Sequence, residues 1–389
     1  MTKKKPSILD KIYALEDLEA HAKKHLPKPV FGYVAGGAER NHTLRNNAED
    51  FADYKFVPNI LRNVSARSTK TEIFGRQWDA PFGISPIGVS ALAAYRGDFV
   101  LADAAQKMNF PMVISGSSLI PMEEIIKLAP GTWFQAYLPG EHDKVENLVL
   151  RVKKAGFQTL VLTVDVAVLA GRENNLRNGF STPLRPSFSL LYQGLTHPNW
   201  SMNTFLKSIF KHGMPHFENF LAERGEPVFS SSINRDFGKR SNLNWEHLKQ
   251  IRKLWDGDLI VKGILNKEDA LKAINLGADA IIISNHGGRQ LDSAISSIKA
   301  LENIRPHVKG DCKLFVDSGF RRGTDVIKAL ALGADFVFIG RPFLYAASIA
   351  GIAGVTHAIN LLKEEIDRDM ALLGVNEIDE LGHELLQKY

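Results

Sequence analysis

The segment Ser284-Asn285-His286-Gly287-Gly288-Arg289-Gln290-Leu291-Asp292 holds the densest chemistry of the chain. A histidine directly after an apolar run, two glycines that let backbone approach a ligand, and an arginine three residues on combine a base with an anion clamp. A lone histidine is more often a structural residue with satisfied hydrogen bonds; the arginine and the position at the end of a run reverse that preference. Asp317-Ser318-Gly319-Phe320-Arg321-Arg322-Gly323-Thr324-Asp325 and Ile339-Gly340-Arg341-Pro342 join glycine to arginine in the same way, the make-up of a phosphate cradle. Arg322 reads as a surface arginine capping a helix. Lys262 ends the apolar run Leu259-Ile260-Val261 and suits either a Schiff base or neutralisation of charge developing on a cofactor. Gln135 with Tyr137, and Thr163 with Asp165, are spaced by two, so each pair shares one side of a strand. The single cysteine, Cys312, excludes an internal disulfide and any Cys-rich zinc or iron–sulfur centre, and no metal site is expected.

Eight short apolar runs must position these residues: 82–88, 111–115, 133–138, 159–165, 258–264, 279–284, 313–317 and 335–340. They are too short and too uniformly apolar for surface helices and read as strands buried on both faces of a parallel sheet. Helical patterns at 98–108, 143–155, 267–276 and 325–332 lie between them, giving a βαβα order. Leu-Gly-Ala-Asp at 276–279 recurs at 332–335, with glycine where a helix stops and a strand begins. The expected fold is an α/β (β/α)8 TIM barrel spanning 1–389 as one domain, with an N-terminal helical segment at 10–55 and helices at 351–388; an open doubly wound sheet is the competitor. In a barrel the reactive face is where the strands end, and there stand Pro86, Ile87, Gly88, Ser115, Gln135, Tyr137, Thr163, Asp165, Lys262, Ser284, His286, Asp317, Gly340 and Arg341.

More than ninety residues separate Asp165 from Asp258, so the fourth βα connection carries an insertion, 174–243. Its part 174–217 contains Arg177, Arg185, Lys207 and Lys211 and no acidic residue, together with Phe188, Leu190, Leu191, Tyr192, Trp200, Phe205, Ile209 and Phe210. Basic plus aromatic content suits a segment lying on a membrane surface, and equally a lid packed on the barrel rim. Hydrophobic residues at 44% and charged residues at 23% exclude wholesale disorder. Lys+Arg 48 against Asp+Glu 43 is too small an excess to argue for nucleic acid. Lys3-Lys4-Lys5 is not followed by the apolar stretch of a signal peptide, and no run approaches the ~20 apolar residues of a membrane span, so a cytoplasmic location is expected.

Together these segments resemble the FMN-dependent family that oxidises L-2-hydroxy acids, which includes glycolate oxidase, L-lactate dehydrogenase and mandelate dehydrogenase. The likeness covers nearly the whole chain: Leu26-Pro27-Lys28, Gly36-Gly37-Ala38-Glu39, Leu162-Thr163-Val164-Asp165, Val261-Lys262-Gly263, and the two long motifs at 284–292 and 317–325. It looks closest to the mandelate dehydrogenase branch. The resemblance implies FMN as cofactor, with His286 removing a proton from the substrate hydroxyl or its α-carbon and Asp165 orienting the imidazole and raising its basicity. Arg172 and Arg289 are implied to hold the substrate carboxylate, with Tyr33 and Tyr137 adding hydroxyls. Lys262 is implied beside the flavin N1–C2=O edge; Pro86, Ile87, Gly88, Ser115, Gln135, Thr163 and Ser284 against the ring; and Asp317, Ser318, Gly319, Arg321, Gly340 and Arg341 around the phosphate.

Two departures remove bulk: Ser117 stands where glycolate oxidase-like members carry tryptophan, and Gly88 where they carry alanine. A wider pocket is expected to accept a large side chain such as phenyl. The glycine, with the basic insertion, also points to a membrane quinone as electron acceptor and to a chain held peripherally on the inner face of the cell membrane through 174–217. The family resemblance further implies a homotetramer. Competing readings are a soluble oxidase of the same family using O2, a Schiff-base aldolase or isomerase on a phosphate substrate, and a non-catalytic flavin- or nucleotide-binding barrel.

Overall fold

The computed structural model describes residues 7–181, 188–228, 238–310 and 312–388; the basic start, 1–6, and Arg185 of the insertion lie outside them. Eight strands occupy the expected apolar runs: β1 Phe82–Ile84, β2 Val113–Ser115, β3 Trp133–Tyr137, β4 Thr159–Thr163, β5 Asp258–Ile264, β6 Ala280–Ile283, β7 Lys313–Asp317 and β8 Phe336–Ile339. Neighbours pair in parallel from β2 round to β8, and β8 pairs with β1. A parallel bridge from Ile84 to Met112 at the start of β2 closes the ring, so the chain is a (β/α)8 barrel and not an open sheet.

Alternation along each strand sorts the interior into layers. Trp133, Val161, Ile260, Ile282, Phe315 and Phe338 form a dry lower layer with Val113, Ala280 and Phe336, plugged from below by Ile73, Phe74 and Trp78 of a hairpin, Thr71–Ile73 paired with Arg76–Trp78. Two residues further along the same strands come Gln135, Thr163, Lys262, Ser284, Asp317 and Gly340. Each large apolar side chain below contributes roughly 1.5–3 kcal/mol by leaving water, which fixes the register that lifts the polar layer to the strand ends.

The repeated Leu-Gly-Ala-Asp has a physical basis in both copies. Gly277 and Gly333 adopt φ of 90° and 92° after the helices Lys267–Asn275 and Gly323–Ala331, a conformation that a side chain disfavours. The aspartate that follows accepts a backbone hydrogen bond from the adjacent strand, Asp279 from Leu259 N and Asp335 from Leu314 N, both at 2.8 Å.

The insertion leaves after β4 and returns at the helix Trp245–Leu254. It carries Glu173–Arg177, Phe188–Thr196, Pro198–Trp200, a π-helical turn Ser201–Leu206 and Lys207–His212. Trp200 is buried, its indole Nε1 donating to Leu92 O at 2.8 Å. At the other end of the chain, Arg341–Leu373 is long and apolar enough to cross a membrane, a length that the sequence reading did not anticipate. It is broken at Ala350 and Gly351, and Phe343, Leu344, Val355, Ile359, Leu362 and Ile366 are buried in the core around the barrel.

Candidate active site

A cavity of about 780 Å³ opens at the C-terminal ends of the strands, within the ~300–1,000 Å³ typical of small-ligand sites. Tyr33, Pro86, Ile87, Gly88, Ser117, Tyr137, Thr163, Arg172, Lys262, His286, Arg289, Asp317, Ser318, Gly319, Arg321, Gly340 and Arg341 line it. Every sequence-derived site residue except four therefore reaches the cavity wall. Asp165, Ser115, Gln135 and Ser284 stand directly behind it, each bonded to its neighbours.

Asp165 backs the base. His286 Nδ1 lies 3.0 and 3.2 Å from the two Asp165 oxygens, and both side chains are largely buried. Gly263, at φ 108°, makes this possible: a Cβ there would lie 2.7 Å from Asp165 Cβ. Burial, the larger influence, pushes the His286 pKa down; Asp165 pushes it up, and Lys262 and Arg172 add to the fall. The net shift is below the ordinary 6.5, opposite to the raised basicity expected from the carboxylate alone. Burial also works to raise the Asp165 pKa, but His286, Lys262 and a backbone hydrogen bond outweigh it and hold the carboxyl below its usual range. The resting pair is thus a neutral imidazole against a carboxylate at neutral pH, leaving Nε2 to accept a proton. His286 itself sits at φ 60°, followed by two glycines at 66° and 72°, a left-handed run that turns the ring back over the barrel.

Lys262 is held rather than free. Its ammonium donates to Ser284 Oγ at 2.7 Å and pairs with Asp317 at 2.9 Å, with both partners of the ion pair under one-tenth exposed. Ser284 Oγ also accepts from His286 N, which ties the lysine to the base loop. An ammonium clamped by a carboxylate is a fixed positive charge, not the neutral amine a Schiff base requires. Ser318 Oγ donates to Asp317 and accepts from Gly287 N, so Asp317 and Ser318 brace Lys262 and the glycine pair.

The arginines are anchored by the N-terminal segment. Arg289 Nη1 donates to Tyr33 O and Gly36 O at 2.6 and 2.8 Å; Arg341 donates to Val34 O, Gly36 O and Gly287 O. Arg172 donates to Arg289 O and to Gln290 Oε1, and Gln290 in turn donates to Asp165 O. Burial, with Arg289 nearby, lowers Arg172 to about 10 and Arg341 to about 9, and both remain charged at neutral pH. Burial first, then Asp165, raises the Tyr137 phenol to about 12, so it stays a donor; its oxygen is 3.4 Å from His286 Nε2.

Several contributors escaped the sequence reading. Asn47 and Asn285 exchange a reciprocal pair of buried amide hydrogen bonds at 2.8 and 2.7 Å, and Asp292 accepts from the backbone of Arg40 and Thr43, pinning the base loop at both ends. Arg240, from the end of the insertion, also lines the cavity. Local sequence carries no sign of its tertiary position.

The donor set fits a flavin mononucleotide. Gln135 is fully buried, its Oε1 accepting from Ser115 and Gly116 N while its Nε2 has no partner, a donor waiting for an acceptor on a ring. Lys262 supplies fixed positive charge deeper in, and the Gly319–Arg321 and Gly340–Arg341 loops combine backbone with guanidinium at the other end.

A barrel with a backed base, a clamped cation and an anion cradle around one cavity defines an oxidoreductase that works through a bound flavin. A family model described as FMN-dependent dehydrogenase matches residues 22–388. The chain is 39% identical over 384 residues to the L-lactate dehydrogenase of Ectopseudomonas mendocina (strain ymp), which covers 97% of this chain and 99% of that protein. It is 38% identical over 377 residues to the (S)-mandelate dehydrogenase of Pseudomonas putida, covering 97% and 94%. Among solved structures it matches a monotopic membrane protein, (S)-mandelate dehydrogenase, with a TM-score of 0.87 at 37% identity, covering 97% of this chain and 100% of the other. A mandelate oxidase matches at TM-score 0.80 and 31% identity, covering 97% and 98%. The chain belongs to the family of FMN-dependent dehydrogenases.

Proposed function

We propose that the chain oxidises L-2-hydroxy acids, mandelate-like or lactate-like with a preference for bulky side chains, to the 2-oxo acids, and passes the electrons to a membrane quinone. The observation that carries this reading is the His286–Asp165 pair sharing one cavity with Arg172 and Arg289. Two guanidinium groups fix a substrate carboxylate in charge and orientation, and the Tyr33 and Tyr137 hydroxyls complete its hydrogen bonds. The oxidation removes two electrons and two protons from the carbinol; His286 Nε2 takes one proton, and Asp165 stabilises the imidazolium that results. Bound FMN would supply the acceptor for the electron pair and the other proton. Gly319, Arg321, Gly340 and Arg341 would hold its phosphate; Pro86, Ile87, Gly88, Gln135, Thr163 and Lys262 would hold its ring, with Ser115 and Ser284 acting through Gln135 and Lys262. Lys262 would offer that ring a fixed positive charge, because Asp317 keeps the ammonium in place.

The small residues Gly88 and Ser117 line the cavity side by side, which supports room for a bulky substrate beside them; a Cβ at Gly88 would lie 3.0 Å from Ser117 Cβ and 3.5 Å from the Tyr33 hydroxyl. Phe188, Leu191, Tyr192, Leu195, Met202 and Phe210 are each more than 60% exposed, next to Lys207 and Lys211, which supports docking of the insertion on an anionic membrane from the cytoplasmic side. Likeness to a mandelate oxidase favours the alternative acceptor, O2.

Anaerobic flavin bleaching across a panel of 2-hydroxy acids tests the reaction. Mandelate should give a kcat/KM at least about tenfold above glycolate, since burying a phenyl ring is worth ~2 kcal/mol or more. Comparable values would defeat the bulky-substrate reading. Turnover with O2 as fast as with a quinone analogue would defeat the acceptor.

A further inference from the structure

A second cavity, of about 530 Å³, lies beside the first, between the N-terminal segment and the insertion. The buried Leu26 and the half-buried Phe31 and Leu44 give it an apolar wall, Lys23 and Lys28 stand exposed at its rim, and His197 reaches it from the insertion. Among the described residues no aspartate or glutamate lines it, and neither lysine forms an ion pair. Two ammonium groups beside an apolar wall suit a ligand that carries an anion and a hydrocarbon part together.

The helix Phe188–Thr196 sets what can reach this cavity. Gln193 Oε1 accepts from Lys28 N at 3.0 Å, and His197, just past the helix end, is tied back by Nδ1 donating to Gln193 O at 2.8 Å. Leu191 and Leu195 stand two residues to either side of Gln193, about 200° round the helix, and are 62% and 72% exposed. One side of the helix thus closes the cavity, and the other is free for the acyl layer of a bilayer. A helix lying in the interface sinks its apolar face about 5–10 Å into the headgroup boundary and is itself about 10 Å across, so the cavity on its inner side falls at the depth of the lipid phosphates. The segment that walls the cavity also walls the active site: Gly32 and Gly36 line the second cavity, and Tyr33 and Val34 between them line the first.

We propose that the second cavity binds the phosphate-bearing headgroup of an anionic membrane phospholipid, with Lys23 and Lys28 meeting the phosphate and Leu26, Phe31 and Leu44 the glycerol ester region. The proposal rests on the membrane-docking reading and names the lipid that docking selects. A zwitterionic headgroup brings a cation of its own, and no carboxylate lines the cavity to receive it, so a net negative headgroup is preferred. A lipid held here keeps the bilayer one backbone segment away from the substrate cavity.

The test uses the full-length, FMN-loaded protein and calorimetric titration with dihexanoyl-phosphatidylglycerol below its micelle concentration. Dihexanoyl-phosphatidylcholine and glycerol 1-phosphate serve as comparisons. One phosphatidylglycerol should bind per chain, at least about tenfold tighter than either comparison. Lys23→Gln with Lys28→Gln should weaken it about thirtyfold. Lys24→Gln with Lys211→Gln removes the same charge from outside the cavity and should leave the affinity within about threefold, while Lys23→Arg with Lys28→Arg should keep most of it. Equal losses in the two glutamine pairs overturn the site in favour of diffuse attraction, and glycerol 1-phosphate binding as tightly as the lipid overturns it in favour of a soluble anion. If the protein sediments with anionic vesicles but binds no monomeric lipid, this inference alone falls. If it does neither, membrane docking was misread and both fall.

Discussion

The strand ends and the insertion meet at one cavity and are built by opposite rules. At the strand ends, ionisable groups are mostly paired inside buried networks: His286 with Asp165, Lys262 with Asp317 and Ser284, Arg172 with Gln290. In the insertion, Phe180, Phe217 and Arg240 face inward while Phe188, Leu191, Leu195 and Phe210 are left to solvent. The contrast separates chemistry, which needs positions fixed by sheet register, from context, which is set by a surface that can vary without disturbing the barrel.

The largest effect should come from breaking the buried side. Asp165→Asn is expected to lower the limiting rate of flavin reduction by roughly 10²–10⁴-fold, because the imidazolium loses its stabilising charge. The pH profile gives the sign. Only neutral His286 can accept a proton, so kcat/KM should rise with pH through an acid limb whose midpoint is below 6.5. Removing the carboxylate takes away the influence that raises the pKa, so in Asp165→Asn the limb should move to still lower pH. A limb that moves upward would show that Asp165 does not act on His286 electrostatically.

The exposed side should respond in location rather than in rate. Replacing Phe188, Leu191, Leu195 and Phe210 by serine should reduce co-sedimentation with anionic vesicles by about 100-fold or more, while reduction by substrate in solution stays within about twofold. Equal sedimentation would mean that this face does not touch membrane; lost flavin reduction would mean that it works as a lid. The smallest effect is expected at the seam between the regions. Gly88→Ala pushes a methyl to 3.0 Å from Ser117, a contact that must relax by a few tenths of an ångström, and should cost mandelate about three- to tenfold relative to glycolate.

The same contrast decides what the sequence made legible. The eight strands were readable because each is a short run buried on both faces, and the residues at their ends followed from alternation. Gly277 and Gly333 announced helix ends because their backbone angles demand it. The direction of the His286 shift was not readable: the carboxylate is visible in a motif, but the burial that outweighs it is a property of the assembled barrel. Nor was the anchoring of Arg289 and Arg341 by the carbonyls of Tyr33, Val34 and Gly36, since backbone acceptors have no residue identity. Arg240 was hidden for a third reason, lying in a segment whose composition suggested only a lid or a membrane surface.

Replacing the base tests the central claim most directly. His286→Gln, checked for bound FMN by its visible spectrum, should retain the cofactor and lose anaerobic reduction by any 2-hydroxy acid by roughly 10³-fold or more. A variant that holds FMN and is bleached at close to the wild-type rate would contradict the account.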